Sequence, residues 1–79
     1  MKKRRARADV RERFGFAVKV RREELGLTQE DLADKVGIHR TYLSDIERGS
    51  RNVSLIIIER VGAALSLSLS DLFQRVERP

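Results

Sequence analysis

Residues 28–49, Thr-Gln-Glu-Asp-Leu-Ala-Asp-Lys-Val-Gly-Ile-His-Arg-Thr-Tyr-Leu-Ser-Asp-Ile-Glu-Arg-Gly, hold two short helical periods with a glycine between them. Thr28 offers a hydroxyl to the first free amides of a helix, and Glu30 and Asp31 suit the positive end of its dipole. Leu32, Ala33 and Val36 follow at helical spacing, which predicts a helix over about 29–35. Gly37 ends it after two turns and Ile38 supplies an apolar plug. Leu43 and Ile46 then mark a further helix over about 39–48, closed by Gly49.

Two short helices joined by a tight turn containing glycine make a helix-turn-helix unit. Ala33 is small where the two helices must approach, and Gly37 permits a positive φ in the turn. Ile38, Leu43 and Ile46 bury the inner face of the second helix, so Arg40, Thr41, Ser44 and Asp45 are left on the outer one. A helix of about ten residues, roughly 15 Å long, fits the major groove of double-stranded DNA.

The flanking sequence is helical too. Val10, Phe14, Ala17, Val18, Arg21 and Leu25 recur at spacings of three and four and predict a first helix over about 9–25. Asp9 with Glu12 has the spacing of a capping box, and Gly26 stands where a helix stops. Beyond Gly49, residues 50–53 read as a polar loop, Ser54 caps a helix running to about Leu65, and Ser70 with Asp71 starts a last short helix carrying Leu72, Phe73 and Val76. The single proline is Pro79, and the β-branched residues sit at helical rather than alternating positions. The prediction is an all-α domain of five helices over residues 9–79, preceded by a basic N-terminal arm at 1–8.

The 79 residues, 41% hydrophobic and 37% charged, suit one small domain. The formal net charge of +5 points to an anionic partner such as nucleic acid or a membrane surface. Residues 1–22 hold ten Lys or Arg against Asp9 and Glu12, whereas residues 23–79 hold seven against ten acids. The longest apolar run, Leu55-Ile56-Ile57-Ile58, is far short of the roughly 20 residues that span a bilayer, so no membrane span is expected, and no membrane is expected among the partners. No signal-type apolar stretch follows the basic start, so export is not expected, and a chain without cysteine suits a reducing cytoplasm. His39 is the one histidine, lacking the second histidine, cysteine or paired acids that a metal site or general base needs. It reads as a helix-start or phosphate-contacting residue. Neither an enzyme nor a bound cofactor or small-molecule ligand is indicated.

Thr28-Gln29-Glu30-Asp31-Leu32-Ala33, Gly37-Ile38 and Tyr42-Leu43-Ser44-Asp45-Ile46-Glu47-Arg48-Gly49 resemble the lambda-repressor-like (Cro/C1, XRE-type) helix-turn-helix family over roughly residues 10–76. The stretch from His39 to Ser54 is most similar to the controller proteins of restriction-modification systems. The resemblance implies a dimeric, sequence-specific transcription regulator that binds a pseudo-palindromic operator. It puts Arg40 and Thr41 at the base-reading positions, where arginine can pair with guanine and threonine can meet a thymine methyl, with Tyr42 and Ser44 as further readers. Gln29 would hold a DNA phosphate at the start of its helix, and Arg48, Arg51 and Asn52 would clamp others. Arg22 and Glu47 stand where the family has a structural ion pair.

Two departures from the family pattern stand out. Ser66 replaces the glycine usual between the last two helices. Ile56 is apolar where the family often is polar, and with Leu55, Ile57 and Ile58 it makes the fourth helix apolar around more of its circumference than one core can use. The excess predicts a two-fold homodimer through the last two helices, with Ile56, Leu69, Phe73 and Val76 as interface candidates. A second function class is a protein-interaction module, an antitoxin or adaptor built on the same scaffold.

Residues 2–7, Lys-Lys-Arg-Arg-Ala-Arg, carry five positive charges with no large apolar anchor. Such an arm can enter an adjacent minor groove or hold phosphates loosely. Removing residues 1–8 is expected to weaken DNA binding and flatten its salt dependence without changing sequence preference. An unchanged salt slope would exclude an arm contact.

Overall fold

The computed structural model describes residues 8–78; residues 1–7, on which the predicted arm falls, and Pro79 lie outside the described residues. Five helices follow one another: α1 (Val10–Glu24), α2 (Gln29–Val36), α3 (Arg40–Arg48), α4 (Leu55–Ala64) and α5 (Leu69–Glu77). No strand occurs among the described residues. None of the helices is long and apolar enough to cross a membrane.

Each helix starts on a side chain that accepts from its early amides, which otherwise have no partner. The Asp9 carboxylate accepts from the Arg11 amide at 2.7 Å while Glu12 reaches back to the Asp9 amide, completing the box that opens α1. The Arg11 guanidinium also binds that carboxylate and holds its pKa down to about 2. Thr28 and Asp31 exchange the same pair of bonds at 3.0 Å each to open α2. His39 caps α3 through Nδ1, Ser54 caps α4, and Ser68 caps α5. The start of the last helix is therefore corrected from Ser70 to Ser68. Asp71 stands three residues after Ser68, where its amide reaches the Ser68 hydroxyl at 3.0 Å.

The core is one cluster drawn from every helix: Phe14, Ala17 and Val18, Leu32, Ala33 and Val36, Leu43 and Ile46, Val61 and Leu65, and Leu72 and Val76. The buried stripe of α1 departs at its ends from the expected one. Val10 and Leu25 are exposed, and Arg22, not Arg21, turns inward. The α1 stripe lies against α3 and α5, while α2 packs on α3 and α4. Phe14 and Phe73, with ring centroids 6.3 Å apart and tilted, bind α5 to α1.

Two backbone positions set how closely these helices meet and how they end. A Cβ built on Gly15 would run into the Ile46 carbonyl oxygen and lie 2.6 Å from that of Glu47, so α1 crosses α3 at a point where only glycine fits. At the end of α4 the Leu67 amide bonds to the Gly62 carbonyl and the Ser66 amide to Ala63, with Ser66 at φ +59°. The end of α1 has the same bonding pattern with Gly26 at that place. Serine adopts the left-handed region only against the steric preference of its Cβ. Ser66→Gly is therefore expected to stabilise the fold by about 0.5–1 kcal/mol, raising Tm by several degrees. Gly15→Ala should destabilise it by about 1–3 kcal/mol, since neither carbonyl can yield without moving α3. Thermal melts of the two variants check both.

Candidate nucleic-acid interface

Nine residues give α3 a length of about 14 Å. Leu43 and Ile46 anchor its inner side, so Arg40, Thr41 and Arg48 are exposed and Ser44 and Asp45 lie half-exposed on the outer one. Tyr42 is half-buried at the flank, with the Arg51 guanidinium 4.9 Å above its ring. The structure thus gathers Arg40, Thr41, Tyr42, Ser44, Arg48 and Arg51 on or beside one helix face. Asn52 is exposed in the loop after α3, on the rim of a cavity of about 190 Å³ lined by Phe14, Val53, Ile58 and Phe73. His39 is exposed at the helix start, its Nδ1 accepting from the Thr41 amide at 3.2 Å.

What holds this face in place lies behind it. Arg22 Nε donates to Glu47 at 2.7 Å and a second guanidinium nitrogen donates to the other carboxylate oxygen at 3.0 Å, a bidentate pair whose side chains are 10% and 4% exposed. The third nitrogen of Arg22 donates to the Leu27 carbonyl at 2.9 Å, and the bonds to Glu47 raise the arginine above its ordinary pKa. Gln29 joins the pair from the start of α2, its amide donating to Glu47 at 3.0 Å. Its own carbonyl oxygen accepts from Arg40 at 3.4 Å. Gln29 is half-buried, and its side chain ties Arg40 to the buried pair.

Asp45, expected on the outer face, has a part there that its position alone reveals only in half. Its carboxylate accepts from Arg48 and, at 3.2 Å, from Arg51, while Arg48 also donates to the Ser44 hydroxyl at 2.9 Å. The Asp45–Arg48 spacing of three was a readable signal of a helical ion pair; the bond to Arg51, across the turn after Gly49, was not.

Arg13 and Arg21 of α1 are engaged inside the protomer. Arg13 donates to the carbonyls of Ala8 and Val76, and Arg21 to that of Leu65 and to Glu24. Arg75 bonds the same Glu24 at 3.0 and 3.3 Å, which lowers the pKa of that carboxyl. Among the described residues no group of three or more His, Asp or Glu side chains is placed to hold a metal ion.

The four interface candidates part company. Ile56 is 68% exposed and Leu69 is 38% exposed, but Phe73 is half-buried against Phe14, and Val76 is fully enclosed. Val76 is removed from the candidates, because a side chain with no surface in the protomer has nothing to offer a partner. Leu55, 71% exposed beside Ile56, takes its place.

A short helix seated across a second, with a polar and cationic outer face, defines a DNA-binding domain of the helix-turn-helix class used in transcription regulation. The sequence model of the family described as Helix-turn-helix matches residues 18–72, and the chain belongs to that family, in its Cro/C1-type (XRE) branch. It is 44% identical over 71 residues to the control protein C.MunI of Mycoplasma sp, a match spanning 89% of this chain and 96% of that protein. The crystal structure of the restriction-modification controller protein C.Esp1396I superimposes with a TM-score of 0.83 at 36% identity, over 91% of this chain and 92% of that one. The clp gene regulator ClgR of Corynebacterium glutamicum superimposes at 0.87 with 30% identity, over 94% and 95%.

Glu47→Ala is expected to lower stability by about 3–5 kcal/mol, because it strands the Arg22 charge in a nearly closed site. Replacing both partners, Arg22→Met with Glu47→Leu, should recover much of that loss. Chemical denaturation of the single and double variants tests it.

Proposed function

We propose that this chain is a sequence-specific transcription regulator that binds a pseudo-palindromic operator as a homodimer, and that it is a restriction-modification controller protein. The observation that carries the reading is the outer face of α3, where Arg40 and Thr41 stand exposed on a helix locked from behind by Glu47, Arg22 and Gln29. A rigid backing is what base reading requires, since hydrogen bonds to base edges discriminate only when the donors cannot follow a wrong base. Arg40 is suited to the bidentate pair with guanine, Thr41 to a thymine methyl, and Tyr42 and Ser44 to neighbouring groups. His39 and Gln29 at the helix starts, with Arg48, Arg51 and Asn52, serve phosphates.

End-to-end similarity to C.MunI and C.Esp1396I supports the controller reading. Solved variants of C.Esp1396I alter an arginine, a threonine and a tyrosine in succession, and this chain carries Arg40-Thr41-Tyr42 in the same order. The dimer is supported by Leu55, Ile56 and Leu69, three exposed apolar side chains at the starts of α4 and α5. Two-fold symmetry would set the two copies of α3 about one DNA turn, roughly 34–36 Å, apart. Regulation then works by occupancy of the operator, with no chemical step.

Selection from a random DNA pool at physiological salt is expected to enrich a palindrome. Arg40→Ala should cost about 1–3 kcal/mol on the selected site and relax one base position in each half while leaving the melt unchanged. No enrichment would favour the interaction-module reading. Sedimentation should show a dimer at micromolar concentration, converted to monomer by Ile56→Glu. A wild-type protein that sediments only as a monomer would refute the two-fold arrangement.

A further inference from the structure

Arg48 and Arg51, both offered to phosphates, are bound in the protomer by a single carboxylate. Arg48 donates to one oxygen of Asp45 and Arg51 Nε to the other at 3.2 Å. The two guanidinium groups are 62% and 51% exposed at their side chains, whereas Asp45 is 18% exposed, so the acid lies beneath and between the cations. The Asp45 backbone is fixed as well: its carbonyl accepts from both the Ser50 amide and the Ser50 hydroxyl, which folds the loop carrying Arg51 back over α3. The Arg51 guanidinium also lies 4.9 Å from the centroid of the Tyr42 ring.

A phosphate approaching this face seeks the same nitrogen donors that Asp45 already occupies. It must displace a carboxylate or share its arginines with one, and it meets a negative charge in doing so. We propose that Asp45 is an intramolecular stand-in for DNA phosphate, which restrains Arg48 and Arg51 and thereby weakens binding to duplexes of any sequence. Base contacts from Arg40 and Thr41 do not pass through Asp45, so the restraint presses most on complexes held by the backbone alone. Asp45 is in this sense a specificity-determining residue that need touch no base. The inference rests on the DNA-binding reading and adds to it the means by which the protein avoids wrong sites.

Each exposed arginine–carboxylate pair is worth a modest fraction of binding energy, and two together predict a gain of about 2- to 30-fold on release. The test needs no operator: anisotropy titrations of the full chain with a random-sequence 30-base-pair duplex across a salt series. Asp45→Asn is expected to tighten binding within that range and to steepen the salt slope by about 0.9, one phosphate equivalent. Asp34→Asn, the same charge change on α2, is the control and should give a smaller gain. In an Arg48→Ala/Arg51→Ala background the effect of Asp45→Asn should shrink toward that control. A thermal melt confirms that each variant is folded.

Equal gains from Asp45→Asn and Asp34→Asn, or an effect that survives loss of both arginines, would overturn the proposal in favour of bulk charge. Unchanged or weaker binding by Asp45→Asn would overturn it in favour of a direct contact or none. A wild-type protein that fails to bind the duplex even at low salt would remove the DNA-binding reading itself, and the Asp45 inference with it.

Discussion

The bidentate pair between Arg22 and Glu47 joins four parts of the chain at one point. Arg22 comes from α1, Glu47 from the last turn of α3, Gln29 from the first residue of α2, and the Leu27 carbonyl from the connection between α1 and α2. A charge in so closed a site is tolerated only when its partner and its remaining donors are all satisfied, so the pair tolerates few rotations of α3 about its axis. That rotation decides which side chains look outward. The glycine-permitted crossing at Gly15 brings α1 near enough for Arg22 to reach, and Gln29 extends the pair to Arg40 on the outer face.

The arginines divide by their partners. Those of α1 serve the protomer: Arg11 its own cap, Arg13 and Arg21 the free carbonyls at the ends of α5 and α4, and Arg22 the buried pair. Among the described residues only Arg40, Arg48 and Arg51 stand at the face of α3, and two of these are balanced by Asp45. Net charge therefore describes this domain poorly. On the proposed reading, affinity for DNA depends on how a few guanidinium groups are partnered before DNA arrives, because a paired cation must lose one anion to gain another.

A small domain cannot enclose every apolar side chain that its helices carry. In α4, Val61 is enclosed, Ile57 and Ile58 lie against the core, and Leu55 and Ile56 are left outside at its first turn. Leu69 at the first turn of α5 is exposed as well. The proposed homodimer needs such a surface, since it would hold two recognition helices at a fixed spacing, and an apolar contact between α4 and α5 of two copies would supply it.

Local chemistry made most of the fold legible. Caps at Asp9, Thr28 and Ser54 and stops at Gly26, Gly37 and Gly49 act through bonds to residues three or four positions away, so sequence alone determined four of the helices nearly to the residue and, with the period of Leu32, Ala33, Leu43 and Ile46, the helix-turn-helix unit. The family resemblance supplied the candidates for DNA contact and the positions of the Arg22–Glu47 pair. The last helix starts on Ser68 and not on the expected Ser70, because the Ser68 hydroxyl stands three residues before Asp71 and accepts from its amide. Other features depend on residues far apart in the chain meeting in space. Tertiary structure alone decided that Gly15 faces a carbonyl, that Val76 is enclosed while Leu55 is bare, and that Asp45 holds Arg51. Periodicity reports which side of a helix is apolar, but only the neighbours packed against that side determine which of its residues are covered and which charges are already paired.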